Sequence, residues 1–251
     1  MTESQLQQAL SRGEPIWGGW ITGPTEIGPE EFSRAGYDYV GFDAQHGYID
    51  DADIASMLRR LEHVPIATAV RLPNADAAPI GRVLDAGADA IIVAMIESAD
   101  QAAAAVTATR YPPAGSRSFG PLRASLGADT TKLESRVSVF AMIETAAALA
   151  SVDEICAVPG LAGVYVGPAD LAISMGVDVT KATTDPAVRE AIAGIHSAAS
   201  AAGLVAAIHA GNAKAGHAMA RIGFQMLTLE SESQALRRGA AASLREARGD
   251  R

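Results

Sequence analysis

The chain has 251 residues, of which 49% are hydrophobic, 20% charged and 5% aromatic, and its formal net charge is −9 at pH 7. That apolar content on that length builds one large core and excludes disorder as the main theme. A balance of 20 Lys+Arg against 29 Asp+Glu, with no basic run, lacks the electrostatic footprint of a nucleic-acid binder.

Short β-branched or aromatic runs alternate with longer Ala- and Leu-rich stretches whose apolar residues recur at three- and four-residue spacing. In chain order, strands are predicted at Ile16–Thr22, Tyr39–Asp43, Ile66–Arg71, Ala90–Met95, Ser138–Ile143, Gly163–Val166, Leu204–Ile208 and Met226–Leu229. Helices are predicted at Pro29–Ala35, Asp51–Leu61, Ala77–Ala86, Ala99–Thr109, Thr145–Cys156, Pro186–Ala202, Ala213–Ile222 and Ser233–Arg248. Gly36, Gly87, Gly203 and Gly223 follow such stretches as helix stops. Units of about 31 residues each match an α/β, single-domain (β/α)8 TIM barrel spanning the chain, with residues 233–251 as its last helix and tail. The competing doubly wound sheet would need a Gly-x-Gly-x-x-Gly after the first strand or a Gly-Lys-Ser/Thr, and neither occurs. A long linker from Tyr111 to about Arg136, rich in Pro, Gly and Arg, serves either the site or a subunit contact.

The N-terminal Met-Thr-Glu-Ser-Gln-Leu has neither the basic flank nor the apolar core of an export signal, and no run reaches about 18 apolar residues. A cytoplasmic protein without membrane contact is expected. Cys156 is the single cysteine, which excludes an intramolecular disulfide or a cysteine-built metal centre; a buried small residue is its reading.

In such a barrel, reactive groups come from the C-terminal ends of the strands, where the βα loops converge. Those ends carry Asp43, Gln45 and His46 after the second strand, Arg71 after the third, Met142 and Glu144 at the fifth, and Gly167-Pro168-Ala169-Asp170 after the sixth. Singly, each has a structural explanation. Glu144 and Asp170 suit helix N-termini, Asp43 can cap a turn, His46 can be a hydrogen-bonded histidine, and Arg71 can simply pair with one of the acids. Together on one rim they repel and desolvate one another unless something central organises them. A divalent cation is the simplest organiser. Two carboxylates, Glu144 and Asp170, suit a hard ion such as Mg2+ or Mn2+, with Co2+ also admitted, and leave positions for the oxygens of a 2-oxo acid. Such an ion polarises a keto oxygen; Arg71 can hold the developing oxyanion, and His46 can move a proton. The Gly167–Asp170 turn can offer backbone N–H groups to a substrate carboxylate. The lysine route to the same carbanion is poorly served, because Lys132, Lys181 and Lys214 end no predicted strand. His209, ending the seventh strand, is assigned to packing.

Phe42-Asp43-Ala44-Gln45-His46-Gly47, Val70-Arg71, Leu84-Asp85-Ala86-Gly87-Ala88, the Ala108–Arg117 run containing Tyr111-Pro112-Pro113, Ile143-Glu144-Thr145 and Val166-Gly167-Pro168-Ala169-Asp170-Leu171 resemble, in this order and spacing, the HpcH/HpaI family of class II pyruvate aldolases. The resemblance runs from about Ile16 to about Leu229. It implies a divalent-metal-dependent aldolase that interconverts a 4-hydroxy-2-oxo acid with pyruvate, or a related 2-oxo acid, plus an aldehyde. It implies Glu144 and Asp170 as metal ligands, His46 as acid/base and Arg71 as oxyanion stabiliser. It further implies Asp85 as a carboxylate raising the basicity of the histidine, and Ala169 as a backbone contact to substrate. A homo-oligomer is implied too, commonly a hexamer of dimers, with the last helix exchanged between neighbours.

The sequence departs from the family pattern at Gln45, where an acid is frequent, at Met142, where some members carry a substrate-contacting Gln, and at Ser118-Phe119, where Gly is common. These departures bear on substrate range. Two other readings stand beside the aldolase: a lyase for acyl-CoA or citryl-type substrates on the same site, and a non-catalytic module that binds a 2-oxo acid.

Overall fold

The computed structural model describes residues 3–25 and 27–249. Eight parallel strands, β1 (Ile16–Ile21), β2 (Tyr39–Asp43), β3 (Ala67–Leu72), β4 (Ala90–Val93), β5 (Ser138–Ile143), β6 (Gly163–Val166), β7 (Val205–His209) and β8 (Met226–Ser231), pair in sequence order. β8 returns to β1 and closes the barrel, with a register shift between Gly18 and Gly19. The helices are α1 (Gln5–Leu10), α2 (Gly28–Arg34), α3 (Asp51–Arg60), α4 (Ala77–Asp85), α5 (Ala99–Thr109), α6 (Thr130–Ser135), α7 (Ala146–Ala150), α8 (Val152–Cys156), α9 (Pro168–Ser174), α10 (Pro186–Ala201), α11 (Ala213–Arg221) and α12 (Glu232–Arg248). Their starts follow local chemistry: Asp50 with Asp53, and Ser231 with Gln234, form reciprocal capping boxes on α3 and α12. Among the described residues no helix is long and apolar enough to cross a membrane.

Three expectations need revision. The Tyr111–Arg136 linker is only partly irregular, because a 3-10 turn at Ala124–Leu126 and α6, capped by Asp129, fold within it. The stretch predicted as one helix over Thr145–Cys156 breaks at Ser151, which ends α7 and begins α8. The fourth strand stops at Val93 rather than Met95, because Met95 adopts the left-handed backbone (φ 57°), which no strand continues through.

Strand alternation divides the core in two. Val40, Phe42, Val70, Leu72, Ile91 and Val93 point outward and pack with Ile54, Leu58, Ile80 and Val83 of the surrounding helices. Ile16, Trp20, Tyr39, Ala67, Ala69, Ala90, Ile92, Phe140, Met142, Tyr165, Ala207 and Met226 fill the lumen, and Leu6 and Ala9 of α1 join them. The same parity carries Asp43, Arg71, Glu144 and His209 inward at the C-terminal ends of their strands. The sheet thus aims the polar residues at one mouth before any loop is considered.

Candidate active site

Asp43 and Arg71 are register partners on adjacent strands, so their side chains emerge together. Arg71 Nε donates to Asp43 Oδ1 at 3.0 Å and Nη2 to Oδ2 at 2.5 Å, a two-pronged fork. Asp43 also accepts from Trp20 Nε1 at 3.1 Å and from the backbone N–H groups of Gln45 and His46, each at 3.1 Å. Burial opposes the charge of Asp43, but the bonds and attraction of Arg71, helped by His46 N–H and Trp20, prevail and hold its carboxyl below the usual range. Asp43 is therefore a hub that fixes both the guanidinium and the backbone beneath His46. The His46 ring has no hydrogen-bond partner among the described residues and stands exposed at the rim.

Glu144 follows β5 and is 1% exposed. Its Oε1 accepts the Met95 N–H at 2.8 Å, whereas Oε2 is buried without a hydrogen bond. Burial pushes the Glu144 carboxyl up; Asp170 adds to this by repulsion, while the Met95 N–H, Arg71 and His46 counteract it. Asp170 occupies the first turn of α9, half-buried. Asp170 thus stands close enough to make Glu144 costlier to ionise, and one Glu144 oxygen lacks the partner a buried carboxylate needs. Hard oxygen donors with this deficit fit a divalent cation. Among the described residues no third His, Cys, Asp or Glu completes a ligand cluster, so other positions would fall to water or substrate.

A cavity of about 450 Å³ opens at this mouth, lined by Trp20, Asp43, His46, Arg71, Met142, Gly167, Pro168, Ala169, Asp170 and His209 among others, with the buried Glu144 adjoining it at Gly167. A roomier groove of about 590 Å³ between α10 and α11 lacks this convergence of charge. Met142 gives the cavity an apolar wall. The Gln45 side chain turns in behind the rim, its Oε1 buried without a partner. No lysine lines the cavity among the described residues, and Cys156 is buried with its thiol pushed up to about 11 by burial and Asp153.

Asp85 stands apart from this rim, and His209 packs at its edge. Asp85 is not brought to His46 within this chain. It closes α4, which runs from the mouth toward the far end of the barrel, and its carboxylate pairs with Arg117 Nη2 at 2.8 Å. His209 packs edge-on against Trp20, with ring centroids 5.3 Å apart, as a packing residue would, yet it also lines the mouth. Burial, reinforced by the Arg71 charge, lowers its pKa to about 4, so the ring is neutral there. Sequence reasoning missed Trp20 and Met95. Trp20 was legible in the inward parity of β1, but a backbone N–H such as that of Met95 leaves no residue-type signal.

A family model described as HpcH/HpaI aldolase/citrate lyase matches residues 17–237. The chain belongs to the HpcH/HpaI aldolase/citrate lyase family. A hydroxypyruvate/pyruvate aldolase of Paraburkholderia phytofirmans is 34% identical, with 97% of each chain covered. One of Rhizorhabdus wittichii is 35% identical over 98% of this chain and 99% of its own. A 4-hydroxy-2-oxovalerate aldolase of Novosphingobium aromaticivorans is 38% identical over 69% of this chain and 68% of its own. A crystal structure of an HpcH/HpaI aldolase/citrate lyase family protein from Burkholderia cenocepacia superposes with a TM-score of 0.88 at 31% identity, covering 98% of this chain and 99% of that one. As a family member the protein is an aldolase-type lyase.

Proposed function

We propose that the protein cleaves and forms 4-hydroxy-2-oxo acids, yielding pyruvate or a related 2-oxo acid and an aldehyde, with a divalent cation (Mg2+, Mn2+ or Co2+) held by Glu144 and Asp170. The observation that carries this reading is the buried, unpartnered Glu144 Oε2 on a carboxyl that Asp170, Arg71 and His46 all stand near enough to act on. When bound, such a cation supplies Lewis-acid polarisation of a keto oxygen.

The chain's own groups divide the remaining work. In the cleavage direction, His46 takes the proton of the C4 hydroxyl as the C3–C4 bond breaks. The bond's electron pair passes through C3 and C2 onto the keto oxygen, and the aldehyde departs. Arg71, its guanidinium fixed by Asp43, donates hydrogen bonds toward that oxygen as it gains charge. A proton returned to C3 completes the 2-oxo acid. Gly167, Pro168 and Ala169 form the wall on which the substrate carboxylate would rest, and Met142 the apolar side. The test is pyruvate release from a 4-hydroxy-2-oxo acid with Mn2+ supplied. Loss of activity in chelator and in Glu144→Ala is expected; persistence in either overturns the reading.

The functional unit in this reading is an oligomer of dimers, a hexamer by family likeness, in which α12 is exchanged between copies. The support is α12 itself: none of its 17 residues is buried, and Leu236 and Leu244 are 74% and 50% exposed.

A further inference from the structure

Met95 is a non-glycine residue with a left-handed backbone (φ 57°), and no other described non-glycine residue has a positive φ. Apart from Gly, such a conformation is uncommon, and outliers cluster where geometry serves function. Its position is specific. The chain leaves β4 with the Ala94 N–H still bonded to the Leu72 carbonyl, and at Met95 it turns away from the sheet. The Met95 N–H, released from the strand ladder, donates to Glu144 Oε1 at 2.8 Å. The Met95 side chain is 45% exposed, so packing does not explain the strain.

Gly167 constrains the same carboxylate from the other side. A Cβ built there would stand 2.6 Å from Glu144 Oε2 and 2.7 Å from the Met142 methyl group. Both neighbours are buried, so neither has room to retreat. Glu144 is thus tied through one oxygen and given space at the other.

We infer that Met95 and Gly167 are positioning residues for Glu144: the left-handed turn presents an N–H that ties Oε1, and the missing Cβ leaves Oε2 free to face a cation. The inference rests on the reading of Glu144 and Asp170 as a cation-holding pair, and it assigns their geometry to backbone rather than to side chains.

The test is Mn2+ binding to the purified full chain without substrate, followed by calorimetry, together with the hydrogen-exchange rate of the Met95 amide in metal-free protein. Met95→Gly keeps both the N–H and the turn, and its Kd is expected within about twofold of the parent. Met95→Ile, whose branched side chain opposes positive φ, and Gly167→Ala are each expected to weaken binding by about tenfold or more. Glu144→Ala is expected to speed exchange of the Met95 amide at least about tenfold, as loss of a buried acceptor does. A folded Gly167→Ala chain with the parent's Kd overturns the inference, as does Met95→Gly binding as weakly as Met95→Ile. Gly167→Ala and the amide measurement decide the matter should Met95→Ile fail to fold. If the parent itself binds no Mn2+, the metal reading fails, while unchanged amide exchange in Glu144→Ala refutes the tie on its own.

Discussion

Arg71 and Asp43 show how a single pair can set the behaviour of a site. The fork between them needs two donors in one plane, which a lysine ammonium lacks. Arg71→Lys is therefore expected to lower kcat for cleavage by about 10²-fold or more, with a smaller change in KM, in steady-state assays. His46→Ala removes the proposed proton carrier without touching the fork, and a loss of about 10²- to 10⁴-fold in kcat is expected. His209 governs a different property. Its pKa falls from 6.5 to about 4 on folding, so below pH 6.5 the unfolded chain binds a proton that the folded chain refuses. Stability is thus expected to decline as pH falls from about 6.5 to about 4, by roughly 3 kcal/mol at the lower end. Urea unfolding across that range should show the decline in the parent, and His209→Phe should flatten it. Asp43, Arg71 and Glu144 were legible in the sequence because each stands at the end of a strand of fixed parity. The setting of Asp85 was not, because an acid at the end of a helix carries no signal of the Arg117 that it pairs with in this chain.

Among the elements, the strands were easiest to foresee. Their β-branched runs mark a sheet buried on both faces, and glycines follow the helices that return to it. α6 and α9 were hidden because short helices carry too few turns to show a period; α9 is set by Pro168 at its first position. Glycines inside strands do a separate job that periodicity does not reveal. Gly41 on β2 lies under the Trp20 ring, and a Cβ there would come within 2.1 Å of it. Because Trp20 is buried at 3% exposure and also bonded to Asp43, it has little freedom to move aside. Gly41→Ala is expected to destabilise the barrel by about 1–3 kcal/mol, measured as a fall in Tm or urea midpoint. Activity should fall with it, since displacement of Trp20 loosens the Asp43 hub.

At the scale of the whole molecule, α12 is the element least supported by its own chain. It begins firmly, with Glu232 accepting the Thr22 and Gly23 N–H groups at 2.8 and 2.9 Å, and then runs on with its apolar residues outward. For the proposed oligomer, Leu236→Asp combined with Leu244→Asp is expected to shift the protein to smaller assemblies in light scattering, because charge on the face proposed to be covered opposes association. The barrel would persist, as neither leucine belongs to its core. The placement of the two tryptophans has a practical outcome. Trp17 lies on the outer side of β1, whereas Trp20 has its indole on Asp43, Arg71 5.5 Å above its ring and His209 at its edge. In a Trp17→Phe enzyme all indole fluorescence would arise from the chamber floor. The molecule therefore carries its own optical label, able to signal the arrival of the proposed keto acid or metal ion without any attached dye.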